Sequence, residues 1–405
     1  MAVSGSSGSN ASPPTSAIRL VLLYGGQSPE HEVSCISALH VLRSADPSRY
    51  DVRVIGVSTA GRWVDATEAA QALGPAATAL PEPDELAAAS PELTAGGAAT
   101  EALPPSVPSG PSAARRSGGS DLIPVIAQRT AGNSDRPVVV FPVLHGPKGE
   151  DGTVQGLLEM AGLPYVGAGV AGSAAAMDKG MAKALFASAG IPQARYLTLR
   201  SHEIDELLTR TVEAELGWPV FVKPANLGST IGITRAEGPA ELLDAVRLAL
   251  RFDEYLVIEE ALEPREIEVG VLGDTELAVS VPGEILPSRD FYDFEDKYLA
   301  GTARCQIPAR LPAHVAEQIP DLARRACRVL RVDGMARVDF FYEESSDRLL
   351  VNEVNTIPGF TPISMYPQLW ANSGISHREL LDQLVANALA RHKRRSDFQT
   401  SRPGA

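Results

Sequence analysis

Three oxygen-bearing residues near the C-terminal end of this 405-residue chain, with an arginine beside them, have the types and spacing to hold a cation. In residues 349–360, LLVNEVNTIPGF, a short apolar strand leads into Glu353 and Asn355 and then into a turn at Pro358 and Gly359. Side chains two apart on a strand share a face, so this acid and this amide present oxygen atoms side by side. Upstream, MARVDFFY repeats the spacing with Arg337 and Asp339 on a second predicted strand. Three oxygen ligands and one arginine on neighbouring strands suit a hard cation such as Mg²⁺, which completes its shell with phosphate oxygens and water. Taken singly, Asp339 and Glu353 read equally well as ordinary strand-end charges. Taken with the residues below, they point to an ATP site.

Phosphates need positive charge and backbone amides, and WPVFVKPANLGSTIGITR offers both. A strand carries Lys223, the chain turns through Gly228, Ser229 and Thr230, and a second strand is expected from Ile231. Such a loop can fold over phosphates, although an ordinary hairpin holding a lysine reads the same way. Lysine is used sparingly, six times among 36 basic residues. Lys179, Lys223 and Lys297 fall in stretches with functional character, where a compact, flexible point charge is wanted. Glu259, Glu260, Glu263 and Glu266 surround a bend between two strands. They repel phosphate and read either as contacts to ribose and adenine or as a solvated acidic turn. Residues 291–303, FYDFEDKYLAGTA, mix aromatics and charges without a period and are expected to form an ordered loop or lid.

The N-terminal part supplies the scaffold. Residues 18–24, IRLVLLY, form a buried-type strand that runs into GGQSPEHEVS and a helical segment. That is the order of an anion or nucleotide site, here without a full GxGxxG. VRVIGV follows as a second strand, giving a βαβ start. PVVVFPVLHG is a strand ending at His145, beside a glycine-rich loop and a helix from Thr153. His145 is either packed at a strand end or part of a site. MDKGMAKALFASAGIP is a helix closed by Gly190 and Pro192, and further helices are expected at 241–250, 316–330 and 377–391.

The length calls for two or three domains, and 44% hydrophobic residues can fill their cores. A net charge of −14 argues against nucleic acid as a partner. Cys35, Cys305 and Cys327 form neither a disulfide framework nor a zinc spacing and fit a reducing, cytoplasmic setting. Residues 1–17 read as a disordered leader without a basic region, and the apolar run behind them is too short to span a membrane. Residues 65–136, rich in Ala, Pro, Gly and Ser, read as a partly mobile insertion, with an Ala-rich helical hairpin over 67–89 as the other reading.

The ordered set GGQSPEHEVS, LHGPKGEDGTVQG, MDK, VKPANLGSTIG, IEEALEPREIEV, FYDFEDKY, RVDFFY and NEVNTIPGFTPIS resembles the D-alanine–D-alanine ligases of the ATP-grasp superfamily, over about residues 19–383. The resemblance implies an ATP-grasp fold, α/β and α+β, in three domains. These are a Rossmann-like N-terminal substrate domain at 18–167 that holds the insertion, a central domain at 168–259 with the phosphate loop, and a C-terminal domain at 260–392 with the metal ligands and lid. A tail spans 393–405. It also implies ATP-dependent joining of two D-alanine molecules through a D-alanyl phosphate, for peptidoglycan precursor synthesis. Two Mg²⁺ ions are expected, with Mn²⁺ able to substitute, in a cytoplasmic homodimer without nucleic-acid or membrane partners.

By the same resemblance, Lys179 and Lys223 meet the nucleotide phosphates, and Lys297 reaches the γ-phosphate. Glu266 meets the ribose, while Glu259, Glu260 and Leu262 lie along the adenine. Asp339, Glu353 and Asn355 are the metal ligands, and Arg337 with the Gly359 N–H forms the oxyanion site. Glu30 takes the first D-alanine's ammonium and His145 lies near its carboxylate. Ser229 and Tyr298 complete a hydrogen-bonded set with Glu30. Ser364 meets the second D-alanine's carboxylate, and Met365 limits its side chain. Departures from the family pattern are Phe294 for a tyrosine, Asn226 and Leu227 in the phosphate loop, and Thr230 for a serine. Retained Tyr298 favours the dipeptide over a D-alanyl-D-lactate product. A different carboxylate–amine ligase and a catalytically silent nucleotide-binding protein are the other readings. The latter predicts a gap among the phosphate, metal or oxyanion residues, and the sequence has none.

Overall fold

The computed structural model describes residues 18–74, 76–89, 136–286 and 304–398. The leader, residues 90–135 of the insertion, the end of the tail and the FYDFEDKY stretch with Lys297 and Tyr298 lie outside the described residues.

Strand β1 (Ile18–Gly25), helix α1 (His31–Ser44) and strand β2 (Tyr50–Val57) form the expected βαβ start, with β1 and β2 parallel from Ile18–Tyr50 to Gly25–Val57. Strand β3 (Trp63–Asp65) adds to β2 and β4 (Val138–Pro142) to β1, giving the order β3-β2-β1-β4. The central strands are continuous apolar runs because both faces of this sheet are covered. After β3 the chain forms helices α2 (Thr67–Gln71) and α3 (Pro83–Ala89), so the early part of the insertion takes up helix. Ala66, Ala70 and Leu80 anchor it in the first core. Helix α4 (Thr153–Met160) follows β4.

A second sheet, order β5-β8-β6-β7, is built from β5 (Tyr196–Arg200), β6 (Val220–Pro224), β7 (Thr234–Ala236) and β8 (Tyr255–Glu260). β7 starts at Thr234 rather than Ile231, because Ser229, Thr230 and Gly232 take φ values of 54°, 63° and 74° and turn the chain before it can pair. The third sheet has the order β12-β11-β9-β13-β14, with β10 paired to β9. Its strands are β9 (Arg265–Gly273), β10 (Leu277–Val279), β11 (Gly283–Leu286), β12 (Arg304–Gln306), β13 (Gly334–Glu343) and β14 (Arg348–Asn355).

Packing groups the two helices after residue 168 with the third sheet rather than with the second. Helices α5 (Val170–Met177) and α6 (Lys179–Ser188) place Ala175, Ala176, Ala182 and Phe186 in one core with Val269, Val338, Phe340 and Val351 of the third sheet. The second sheet has a separate core with α7 (Leu208–Glu215) and α8 (Pro239–Ala249). Helix α9 (Ala313–Leu330) buries Val315, Ile319, Leu322, Ala326 and Leu330 against the third sheet at helical spacing. Helix α10 (Met365–Asn372), absent from the sequence expectation, and α11 (His377–Ser396) turn back to the first sheet. There Tyr366, Trp370, Leu380 and Leu384 share a core with Leu20, Leu22 and Phe141. Among the described residues, no helix is long and apolar enough to cross a membrane.

Candidate active site

Period-two geometry puts Arg337, Asp339, Glu353 and Asn355 on one face, as their spacing implied. In the β13–β14 pair, Arg337 lies opposite Asn355 and Asp339 opposite Glu353, so all four occupy one face of adjacent strands. A register shift follows Asp339. The Arg337 guanidinium donates to both oxygens of Asp339 at 2.7 Å, and its Nε is 3.0 Å from Glu268 Oε2. Asn355 Nδ2 donates to Asp339 Oδ2 at 2.9 Å. The carboxylates and the amide therefore lie within reach of one another, in an all-oxygen donor set beside a fixed arginine. These residues fit a hard divalent cation.

The β14 end opens into a cleft lined by Glu30, His145, Lys179, Ser229, Arg337 and Gly359 among others. Glu30, 9% exposed, stands at the N-cap of α1 and accepts a short hydrogen bond from the Ser229 hydroxyl of the β6–β7 loop. That bond joins the first sheet's glycine turn to the second sheet's β6–β7 loop. Lys179 opens α6 and donates to the Leu227 carbonyl of the same loop at 2.5 Å. Burial lowers its pKa, with Glu353 opposing the shift.

His145 is 5% exposed, and both its ring nitrogens face protein groups. Nδ1 is 3.0 Å from the Ile357 carbonyl and Nε2 is 3.4 Å from Ser37 Oγ. Burial lowers its pKa, so a neutral imidazole forms this wall of the cleft.

Deeper on α6 and β8 lies a lysine–glutamate cluster. Glu259 Oε2 is 3.1 Å from Lys223 Nζ and 3.4 Å from Lys183 Nζ. Burial alone would raise the Glu259 pKa, but the two lysines hold it at about 2. Lys183 is 2% exposed, and burial lowers its pKa against the pull of Glu259. Glu260, expected along the adenine with Glu259, turns its carboxylate elsewhere because adjacent residues on a strand face opposite ways. It accepts from Arg195 Nε at 2.7 Å and from the Arg195 backbone N–H at 3.0 Å. Leu262 and Glu266 are half-buried, in the bend after β8 and on β9. Ser364 caps α10 and accepts the Thr361 N–H at 3.0 Å, while Met365 packs with Ile285 and Leu369. A Cβ on Gly359 would lie 2.7 Å from Ser364 Oγ, so a larger residue would push that hydroxyl out of place.

Three site residues escaped the sequence reading. Glu150 Oε2 accepts the Gly146 N–H at 2.7 Å and Oε1 accepts the Ile357 N–H at 3.1 Å, bridging the His145 loop to the β14 loop. Burial and the neighbouring Glu30 push its pKa up to about 8. An acid in a glycine-rich loop beside His145 was the available signal. Lys183 was signalled by its place four residues after Lys179, on one helix face. Ser37, which also accepts the Phe360 N–H at 3.2 Å, carried no local signal.

The β6–β7 loop and the oxygen-bearing β13–β14 pair line one cleft, and the arrangement of sheets and helices is an ATP-grasp fold. Family models for the D-Ala D-Ala ligase N-terminus and C-terminus match residues 19–168 and 185–386. The D-alanine–D-alanine ligase of Geobacillus kaustophilus is 43% identical over 92% of this chain and 95% of its own length, and that of Frankia casuarinae 46% over 92% and 96%. Among solved structures, the D-alanine-D-alanine ligase from Coxiella burnetii matches with a TM-score of 0.73 and 32% identity, covering 94% of this chain and 97% of that one. The VanG D-Ala:D-Ser ligase from Enterococcus faecalis matches with a TM-score of 0.73 and 32% identity, covering 92% and 99%. The chain belongs to the D-alanine–D-alanine ligase family.

Proposed function

We infer that this protein is an ATP-dependent ligase that joins two D-alanine molecules into D-alanyl-D-alanine for cell-wall precursor synthesis, releasing ADP and phosphate. The observation that carries the site assignment is the convergence of Glu30, Ser229, Lys179, Arg337 and Gly359 on one cleft beside Asp339, Glu353 and Asn355.

In this reading Glu30 holds the ammonium of the first D-alanine, oriented by the Ser229 hydroxyl. Lys179 and Lys223 meet the ATP phosphates, with Lys297 reaching the transferred one. Lys183 keeps Glu259 ionised at the nucleotide end, and Leu262 and Glu266 line the adenine and ribose. Asp339, Glu353 and Asn355 would hold the divalent cation, Mg²⁺ as two ions with Mn²⁺ as a substitute, which neutralises phosphate charge when bound. The first D-alanine's carboxylate takes the γ-phosphoryl group and ADP leaves. The second D-alanine's amine then attacks the acyl phosphate. Arg337 and the Gly359 N–H stabilise the oxyanion of the tetrahedral intermediate, and phosphate leaves as the peptide bond forms. Ser364 receives the second substrate's carboxylate and Met365 sets its side-chain limit. His145 and Glu150 hold the loops around the first substrate. The working form is a cytoplasmic homodimer.

The likeness to a D-Ala:D-Ser ligase structure favours a second reading in which the acceptor differs. Retained Tyr298 supports the dipeptide. The test is D-alanine-dependent ADP release with Mg²⁺, with products identified by mass spectrometry in D-alanine alone and with excess D-serine or D-lactate. D-alanyl-D-alanine in every mixture is expected. A mixed product would move the assignment to the second reading, and no ADP release would end both.

A further inference from the structure

Outside the cleft, three ligand-type side chains meet behind the turn that carries Glu30. His31 and Cys35 are four residues apart on one face of α1, and Glu82 comes from the segment entering α3. The His31 nitrogen, the Cys35 sulfur and a Glu82 oxygen lie within 4.8 Å of one another. His31 is 6% exposed and Cys35 fully buried, while the Glu82 side chain is 40% exposed and gives a path from solvent.

We propose that His31, Cys35 and Glu82 form a binding site for a thiophilic divalent cation, Zn²⁺ in kind, that pins the segment entering α3 to the helix behind Glu30.

The geometry is that of a prepared site. His31 Nδ1 is 2.8 Å from the Gly26 carbonyl, a bond that only an Nδ1–H can make, and this turns Nε2 toward Glu82 Oε2 at 3.1 Å. A ring nitrogen anchored on a backbone carbonyl with the other aimed at a carboxylate is the outer-shell arrangement of metal-binding histidines. Bonds of ~2.0–2.3 Å from Zn²⁺ to N, O and S place tetrahedral ligands roughly 3.3–3.7 Å apart, so a set already within 4.8 Å needs to close by only about an ångström. The backbone is held for this. Tyr24 donates to the Pro81 carbonyl at 2.6 Å, and the Leu80 N–H to the Cys35 carbonyl at 3.1 Å. Gly25, at φ +86°, leaves room for the ring, since a Cβ there would be 2.9 Å from His31 Cε1. Asp84 Oδ2, 4.0 Å from His31 Nε2, or a water can take the fourth position.

Sulfur and imidazole donors select Zn²⁺ over Mg²⁺, which separates this site from the all-oxygen set on β13 and β14. A thiol binds Zn²⁺ as thiolate, so binding displaces its proton and strengthens as pH rises.

The test uses full-length, reduced, chelator-stripped protein in excess Mg²⁺, titrated with Co²⁺. A single equivalent is expected to bind with thiolate-to-cobalt charge-transfer absorption, displaced by Zn²⁺ and not by more Mg²⁺. Cys35→Ala should abolish the band, Glu82→Gln should weaken binding roughly tenfold or more, and Cys305→Ser, at the exposed thiol, should keep it. Glu82→Gln carries the test should Cys35→Ala fail to fold. Absence of a thiolate band at millimolar Co²⁺, its persistence in Cys35→Ala, or unchanged affinity in Glu82→Gln would overturn the proposal.

Discussion

Arg337 has its guanidinium fixed by Asp339 and Glu268 before any substrate arrives, which is the preorganisation an oxyanion site requires. Arg337→Ala should lower kcat by about two orders of magnitude or more while ATP still binds, because the lost interaction acts on the transition state. Steady-state kinetics with parallel ATP titration check this, and unchanged turnover would sink the assignment. Glu259 is the reverse case, a buried charge that pairs with the buried Lys183 and the half-buried Lys223. Glu259→Gln should cost on the order of 3 kcal/mol in denaturant unfolding, since Lys183 would be left in the interior without a counter-charge. Glu259 binds its proton more weakly folded, at about 2, than at its ordinary 4.5. Its contribution is therefore present above pH 4.5 and is lost as the pH falls through about 2. The stability gap between the wild type and Glu259→Gln should narrow across that window.

At the scale of elements, the β6–β7 loop joins strain to function. Ser229 and Thr230 both sit at positive φ, a conformation that disfavours side chains, and the Ser229 hydroxyl is taken by Glu30. Ser229→Gly should relieve the backbone but lose the clasp. The KM for D-alanine should rise about tenfold, as expected for one hydrogen bond to a charged group, without loss of thermal stability. An unchanged KM would show that the clasp does not position substrate. The strands were legible from sequence because alternation is a local rule: Arg337, Asp339, Glu353 and Asn355 face one way by period two alone. The start of β7 was not, because positive φ at two residues other than glycine is imposed by what the loop packs against.

For the whole molecule, the last helix is the fastener. Arg391, 4% exposed, donates to the carbonyls of Gly167 and Tyr165 and to Asp333, and its guanidinium stacks 4.6 Å from the Tyr165 ring centre. One side chain thus ties the end of the first unit to the third sheet. Arg391→Met should destabilise the protein by roughly 3 kcal/mol, through an unpaired Asp333 and two carbonyls left without donors. Urea unfolding followed by circular dichroism would test it, and a loss below about 1 kcal/mol would count against Arg391 as the fastener.

By itself the sequence determined the βαβ opening, the lysine-bearing strand, the common face of Arg337, Asp339, Glu353 and Asn355, and the helix end at Gly190, because each rests on neighbours a few residues apart. It also carried enough ordered motifs to mark the family. Tertiary structure alone decided that Glu150 bridges two loops some 207 residues apart in sequence. It decided too that α5 and α6 pack with the third sheet, and that α10 and α11 close the core of the first. His31, Cys35 and Glu82 likewise meet only once the fold is made. The reason is physical: local periodicity sets which way a side chain points along its own element, but burial against distant elements sets what it meets.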